Sequence, residues 1–126
     1  MTLIEVLAAI LITSFGLVGL VGLQARAIQY SIGAEDSNRA ALLANEIAAT
    51  MQLYQTANPS VSEPILYSAW QTRVGNTAVT GLPGGTGTVA LVPSYTNRAT
   101  VTITWTAVNS PTGATPHQYV TQVVIP

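Results

Sequence analysis

The first 24 residues, MTLIEVLAAILITSFGLVGLVGLQ, form an apolar segment with one carboxylate, Glu5, close to its start. No charged residue follows between Val6 and Leu23. As an α-helix, this uncharged run would extend about 27 Å, which is close to the thickness of the hydrocarbon core of a bilayer. The segment is therefore predicted to reside in a membrane, and the acidic residue at its edge needs a physical reason.

Two interpretations leave the carboxylate of Glu5 unexplained. A cleavable signal peptide needs a positive region before its apolar run, and no basic side chain precedes this one, although residues 24–27 resemble a small-residue cleavage site. A plain single-pass anchor fits the length of the segment. It gives no reason for an acidic side chain, which is costly to place within a membrane span.

Two other interpretations give the carboxylate of Glu5 a role. Thr2 and Glu5 have the spacing of a capping box, in which a hydroxyl and a carboxylate three residues apart satisfy the first N–H groups of a helix. Alternatively, Glu5 pairs with the terminal amine of Met1 on a neighbouring, staggered helix. Such a pair offsets the cost of burying either charge alone and selects one stagger over others.

Residues 2–12, TLIEVLAAILI, resemble the N-terminal motif of type IV pilins and related pseudopilins. The resemblance implies that a prepilin peptidase removes a short leader, so that Met1 becomes the first residue of the mature chain. It implies that the same peptidase methylates the new terminal amine of Met1. It also implies that Glu5 occupies the position of the family's assembly glutamate. The usual first residue of the family is phenylalanine, and this chain has methionine.

The following stretch, residues 14–24 (SFGLVGLVGLQ), is similar to the S-x-G-L-x-G-L-x-G-L-Q run of PilV-type minor pilins. Gly16, Gly19 and Gly22 recur every three residues, and each lowers helix propensity by up to about 1 kcal/mol relative to alanine. Small residues permit close approach of helices in lipid. We expect these glycines to serve helix packing or, as the resemblance implies, to let the helix loosen when a subunit leaves the membrane.

Residues 25–54 continue the helix with an amphipathic pattern, so that a single helix is predicted from about Leu3 to Tyr54. The apolar face is expected to contain residues at helical spacing: Leu43, Ile47, Met51 and Tyr54. An exposed ion pair is expected between Glu35 and Arg39. Such a helix needs another element to cover its apolar face.

The rest of the chain is predicted to supply that cover. Residues 55–85 are expected to form a loop, and the Asn58-Pro59 pair is expected to end the helical region. A short helix is expected within this loop, over 66–74 around Trp70. A glycine-rich turn at 81–87 follows it. Residues 86–126 alternate with a period of two, which predicts an antiparallel sheet with strands at 88–92, 98–107 and 119–125. The predicted fold class is therefore α+β, a long N-terminal helix with a small sheet of about three strands on its C-terminal half. The type IV pilin fold follows the same plan.

Composition argues against catalysis. Charged residues make up 7% of the chain, there is no cysteine, and there is no lysine to complete a phosphate-binding loop. His117 and Asp36 are the only residues of their types, so no catalytic triad or histidine-rich metal site can be assembled. We expect no enzyme activity, no metal and no cofactor.

Nucleic acid is an unfavoured partner for this sequence. Beyond the long helix, the only basic residues are Arg73 and Arg98, which make a weak electrostatic footprint, although Trp70 and Tyr95 offer aromatic rings for base stacking. The threonines of residues 86–106 offer hydroxyls for O-linked sugar, or are ordinary strand residues.

The resemblance implies a structural subunit of a type IV pilus-like filament, most similar to a minor pilin that helps to prime assembly. The alternatives are a main filament-forming pilin and a minor pseudopilin of a type II secretion system; a monomeric anchored domain is a third class. The implied partners are other pilin subunits, the prepilin peptidase and the inner-membrane assembly machinery. The implied location is the inner membrane and then an extracellular filament.

Overall fold

A computed structural model describes residues 2–126, and Met1 lies outside the described residues. Four helices and three strands follow one another along the chain. They are α1 (Leu3–Leu53), α2 (Pro59–Ser62), α3 (Pro64–Gly75), α4 (Thr77–Thr80), β1 (Thr86–Leu91), β2 (Arg98–Trp105) and β3 (His117–Val124). The long helix and the three-stranded antiparallel sheet packed on its C-terminal half confirm the predicted α+β class.

The chain divides into two compact units, Met1–Ala34 and Glu35–Pro126. In the first unit, residues 3–34 belong to α1 and every one of them is exposed. This stretch includes the apolar segment, which is long and apolar enough to cross a membrane. The expectation of a helix without a break through Gly16, Gly19 and Gly22 is confirmed.

In the second unit, α1 packs against the sheet through a stripe of small and medium side chains. Its buried residues recur at intervals of four, four, three and four: Asp36, Ala40, Ala44, Ile47 and Met51. The predicted face was therefore right at two positions and wrong at Tyr54, which is 48% exposed. Leu43 lies at the border of the core, partly buried. Alanines occupy the centre of the stripe because a short side chain lets the covering elements approach the helix closely.

The end of α1 differs from the prediction that Asn58-Pro59 terminates it. Gln55 adopts a left-handed conformation with φ 51°, and the N–H of Thr56 donates to the carbonyl of Met51 at 2.9 Å. This is the hydrogen bond of a Schellman cap, which satisfies one of the last carbonyls of the helix. Pro59 instead begins α2, so the predicted loop contains one helical turn.

The segment between the long helix and the sheet is more helical than predicted. The helix expected over 66–74 is confirmed as α3, and α4 follows it without having been predicted. Asn76 caps α4, since its side chain accepts from the N–H of Ala78 at 3.1 Å, and Gly81 ends the helix with φ 72°. The glycines of 81–87 therefore do not form one turn. Gly81 caps a helix, Gly84 lies in the turn before the sheet, and Gly87 belongs to β1.

The sheet has the order β1-β2-β3, with both pairs antiparallel. The central strand β2 alternates as predicted. Its core-facing side chains are buried (Ala99, Val101, Ile103 and Trp105), and the threonines between them are half-buried on the opposite face. The start of β2 at Arg98 was predicted correctly, and the other strand ends were off by one or two residues, because the pairing register and not the hydrophobic pattern determines where a strand begins and ends.

Candidate assembly surface

The amino-terminal turn of α1 places Glu5 against Thr2. The Glu5 Oε2 atom accepts from the main-chain N–H of Thr2 at 2.8 Å and from the Thr2 hydroxyl at 3.2 Å. The helix therefore receives the carboxylate half of the predicted capping box. The threonine hydroxyl turns to the carboxylate and does not bond the N–H of Glu5, which donates to the carbonyl of Thr2 at 3.1 Å.

This arrangement leaves one carboxylate oxygen of Glu5 unused. Both hydrogen bonds from Thr2 end on Oε2, and Oε1 has no hydrogen-bond partner within residues 2–126. The side chain is also exposed. A second donor from another molecule therefore has room to bind Oε1 while the cap stays intact. The predicted partner, the amine of Met1, falls outside the described residues.

The apolar segment that follows Glu5 presents its side chains outward on all sides. Phe15 is 73% exposed and Val18 72%, and other large apolar side chains from Leu3 to Leu23 are exposed as well. The two hydroxyl groups in the segment are satisfied within the helix. Thr13 Oγ1 donates to the Ala9 carbonyl and Ser14 Oγ to the Ile10 carbonyl, both at 2.7 Å. The segment thus offers no unpaired hydroxyl to oppose burial in lipid or against other apolar helices.

Gly16, Gly19 and Gly22 have open space around their α-carbons. A methyl group added at any of the three would meet no atom within 4 Å outside the nearby helix backbone. No intrachain contact among the described residues therefore requires glycine at these positions. Glycine disfavours a helix, so contacts within the chain do not account for three of them.

The charged side chains of the second unit largely pair with one another. Arg39 forms the predicted ion pair with Glu35, and its Nη1 lies 4.0 Å from Asp36 Oδ1 and 3.4 Å from the carbonyl of Gly81. Arg73 forms an ion pair with Glu46 across two helices. These contacts fasten α1 to the segment that covers it. Glu46 and Arg73 also line an open groove of about 250 Å³ between α1 and α3.

The aromatic and basic groups considered for nucleic-acid binding have partners within the chain. Trp70 is 1% exposed, so its ring, which was considered for base stacking, is not accessible to a base. The guanidinium of Arg98 lies over the ring of Tyr95, 4.3 Å from its centre, and Arg73 is engaged by Glu46. Both cations of the predicted footprint are thus held by neighbouring side chains.

His117 begins β3 opposite Trp105, and the two rings stack with centres 5.8 Å apart. Within the described part of the chain, no three acidic or histidine side chains lie close enough together to hold a metal ion. Asp36, the lone aspartate, is buried on α1 beside Arg39. The structure therefore brings together none of the residues that sequence reasoning considered for catalysis.

Sequence reasoning missed two residues that organise the second unit. They are Tyr67 and Gln71 on α3, which bond to the main chain of β1. The Val89 N–H donates to the Tyr67 hydroxyl at 3.1 Å, and Gln71 Nε2 donates to the Gly87 carbonyl at 2.9 Å. Their spacing of four residues places both on one helix face. That spacing is a weak signal, because it does not identify the strand that the face meets.

Comparison of the chain with protein-family models, with curated proteins and with solved structures finds no match.

Proposed function

We propose that this chain is a structural subunit of a type IV pilus-like filament, and that it is most similar to a minor pilin that helps to prime assembly. It resides in the inner membrane through its first unit and then packs that unit into the core of an extracellular filament. The observation that supports this most directly is the environment of Glu5. One carboxylate oxygen caps the helix, and the other accepts no hydrogen bond within residues 2–126, at the edge of a fully exposed apolar surface.

The physical argument begins with the apolar surface of residues 3–23. Water is a poor solvent for so large an apolar area, so the segment is stable only in lipid or against other apolar surfaces. Lipid accommodates the waiting subunit, and neighbouring helices accommodate the assembled one. The glycines at 16, 19 and 22 lower the steric barrier to helix contact in either setting.

Glu5 provides the selectivity that apolar packing lacks. Apolar helices can shift along one another at little cost in free energy. A carboxylate buried in an apolar environment, by contrast, is costly unless a cation pairs with it. The proposed cation is the terminal amine of Met1 on a neighbouring subunit, because it lies at the same end of the apolar segment as Glu5. One axial stagger between helices satisfies both charges, and that stagger is the one the filament would repeat.

The decisive experiment separates the charge of Glu5 from its capping role. Glu5→Gln keeps an acceptor oxygen for the Thr2 N–H, since glutamine also serves in capping boxes, but it removes the negative charge. Incorporation into filaments should fall sharply while the amount of subunit in the membrane stays constant. Glu63→Gln, a charge removal in the second unit, is the matched control and should assemble normally.

Normal incorporation of Glu5→Gln would show that the charge has no part in assembly. Mass spectrometry of the amino terminus tests the class of protein separately. The expected result is a methylated Met1, and a retained leader or a formylated methionine would contradict the proposal. Electron microscopy of purified filaments then distinguishes the type of subunit, because a long homopolymer would indicate a main pilin.

A further inference from the structure

The two edge strands of the sheet, β1 and β3, differ in whether their outward main-chain groups have hydrogen-bond partners. Two of the outward main-chain groups of β1 are bonded to side chains of α3, since Gln71 donates to the Gly87 carbonyl and the Val89 N–H donates to the Tyr67 hydroxyl. A strand from another molecule would have to displace both side chains to pair with this edge. The β1 edge is therefore closed.

The β3 edge is open. The N–H of Ile125 donates to the carbonyl of Asn97 at 2.8 Å, so the odd-numbered residues of β3 direct their main-chain groups toward β2. The even-numbered residues direct theirs away from the sheet: Gln118, Val120, Gln122 and Val124. Within residues 2–126, no backbone or side-chain group bonds to these outward N–H and C=O groups.

The sequence of β3, HQYVTQVV, contains none of the usual deterrents to strand addition. It has no lysine, arginine, acidic residue or proline, and it is regular over eight residues. Natural edge strands are commonly protected by charge, proline, a bulge or a covering element. Val120 and Val124 are 51% and 49% exposed, which adds apolar surface beside the open hydrogen-bonding groups.

We propose that β3 is an interaction edge that pairs antiparallel with β3 of a second copy of this chain, about a two-fold axis at Thr121. In that register Gln118 lies opposite Val124 of the other copy, and Val120 lies opposite Gln122. All four outward-directed residues then face one another as hydrogen-bonded pairs. No register shifted by two residues along the strand uses all four.

The side chains of this register are also compatible with a second copy as the occupant. On the core-facing side, Tyr119 meets Val123 of the other copy, an aromatic and β-branched combination that favours cross-strand pairing. Thr121 meets Thr121, and two hydroxyls can bond. The strand contains no lysine, arginine or acidic residue, so a self-pairing does not bring like charges of these side chains together.

This pairing is independent of the proposed filament role. A two-fold contact uses the same patch on both subunits and closes on itself, whereas a filament grows through contacts between different patches. The β3 pair therefore joins two subunits and does not extend a polymer. It needs neither the charge of Glu5 nor the glycines of the apolar segment.

Disulfide trapping tests the proposal, because the natural chain contains no cysteine. At the two-fold centre, Thr121 belongs to a non-hydrogen-bonded pair, in which Cα atoms about 4.5 Å apart lie within the range that a disulfide accepts. The full chain in detergent, with Thr121→Cys, should form a covalent dimer under mild oxidation. Thr88→Cys, also an exposed-edge strand threonine but on the closed β1 edge, is the matched control and should remain monomeric.

A second substitution tests whether main-chain pairing holds the dimer. Val120→Pro in the Thr121→Cys chain removes an outward N–H and no bond of the β2–β3 ladder, so the cross-link should be lost while the β-sheet circular dichroism is retained. Adding Glu5→Gln instead should leave the cross-link unchanged. Equal cross-linking of Thr88→Cys and Thr121→Cys, or a cross-link that survives Val120→Pro with the sheet intact, would overturn the proposal.

Discussion

The indole Nε1 of Trp70 donates a hydrogen bond to the main-chain carbonyl of Leu43, 3.0 Å away. Leu43 lies inside α1, so its carbonyl accepts from this side chain in addition to the main-chain N–H of the next helical turn. The ring of Trp70 is buried and also stacks on Tyr67, with ring centres 5.9 Å apart. One tryptophan therefore joins α3 to the long helix through both its polar and its apolar atoms.

We expect Trp70→Phe to lower the free energy of unfolding of the second unit by about 1–3 kcal/mol, through loss of the hydrogen bond and of part of the ring. Trp70→Ala should cost about 3–5 kcal/mol, because the whole ring leaves a cavity. Urea unfolding of the full chain in detergent, followed by circular dichroism, measures both changes. Equal stabilities for Trp70→Phe and the natural chain would mean that the Leu43 contact contributes nothing.

Gly87 packs its α-carbon on the ring of Trp70, so that a methyl group added there would meet the Cζ3 atom at 2.8 Å. Both partners are buried, so the strand or the ring would have to shift to admit the methyl group. Gly87→Ala should therefore destabilise the fold by about 1–3 kcal/mol through overpacking. Thermal unfolding measures the effect.

Gly75→Ala is the matched control for that substitution. The added methyl would lie 3.6 Å from the Gly85 carbonyl, an ordinary contact, in the last turn of α3. Because alanine favours a helix over glycine, we expect no loss of stability. A similar loss for both variants would show that the contact with Trp70 is not the cause.

Replacing all three glycines of the apolar segment, in Gly16→Ala, Gly19→Ala and Gly22→Ala together, should leave the subunit folded and abundant in the membrane. The three methyl groups meet nothing within the chain, and each raises helix propensity by about 1 kcal/mol. If the glycines serve contacts between subunits or local loosening, filament incorporation should fall. Gly33→Ala, which also has open space for its methyl group, is the control and should assemble normally.

Tyr67→Phe should expose the main chain of β1. The substitution retains the ring and removes the hydroxyl that accepts from the Val89 N–H, at a cost of about 1 kcal/mol. Combined with Gln71→Leu, it frees the Gly87 carbonyl as well and opens the second edge of the sheet. We then expect Thr88→Cys to form covalent dimers that it does not form with α3 intact, measured on non-reducing gels. A persistently monomeric triple variant would show that α3 protects this edge by bulk and not through these two bonds.

Local patterns predicted most of the fold. The apolar run and the amphipathic pattern that follows it predicted the long helix to within one residue of its end at Leu53. The period-two pattern identified the central strand and its buried face. Thr2 and Glu5 were predicted to meet because they lie three residues apart on one helix, where geometry follows directly from spacing.

The differences from the prediction have both local and long-range causes. Tyr54 fits the helical period of the apolar face, but the left-handed Gln55 ends α1 before that period can apply. Helix α4 was not predicted, although Asn76 and Gly81 are local signals for its start and its end. The prediction relied on hydrophobic periodicity and did not use these signals. Trp70 was considered as a ring for base stacking, yet it lies in the core, where Gly87 leaves room for its ring.

The sequence by itself therefore determined the class of structure and the features that depend on neighbours along the chain. These are an apolar helix capped by Glu5, three open glycines and an alternating sheet. Only the tertiary structure decided which sheet edge is open, because that depends on where α3 places Tyr67 and Gln71 relative to β1. A strand's sequence sets its propensity, whereas the satisfaction of its outward N–H and C=O groups is set by whatever packs beside it.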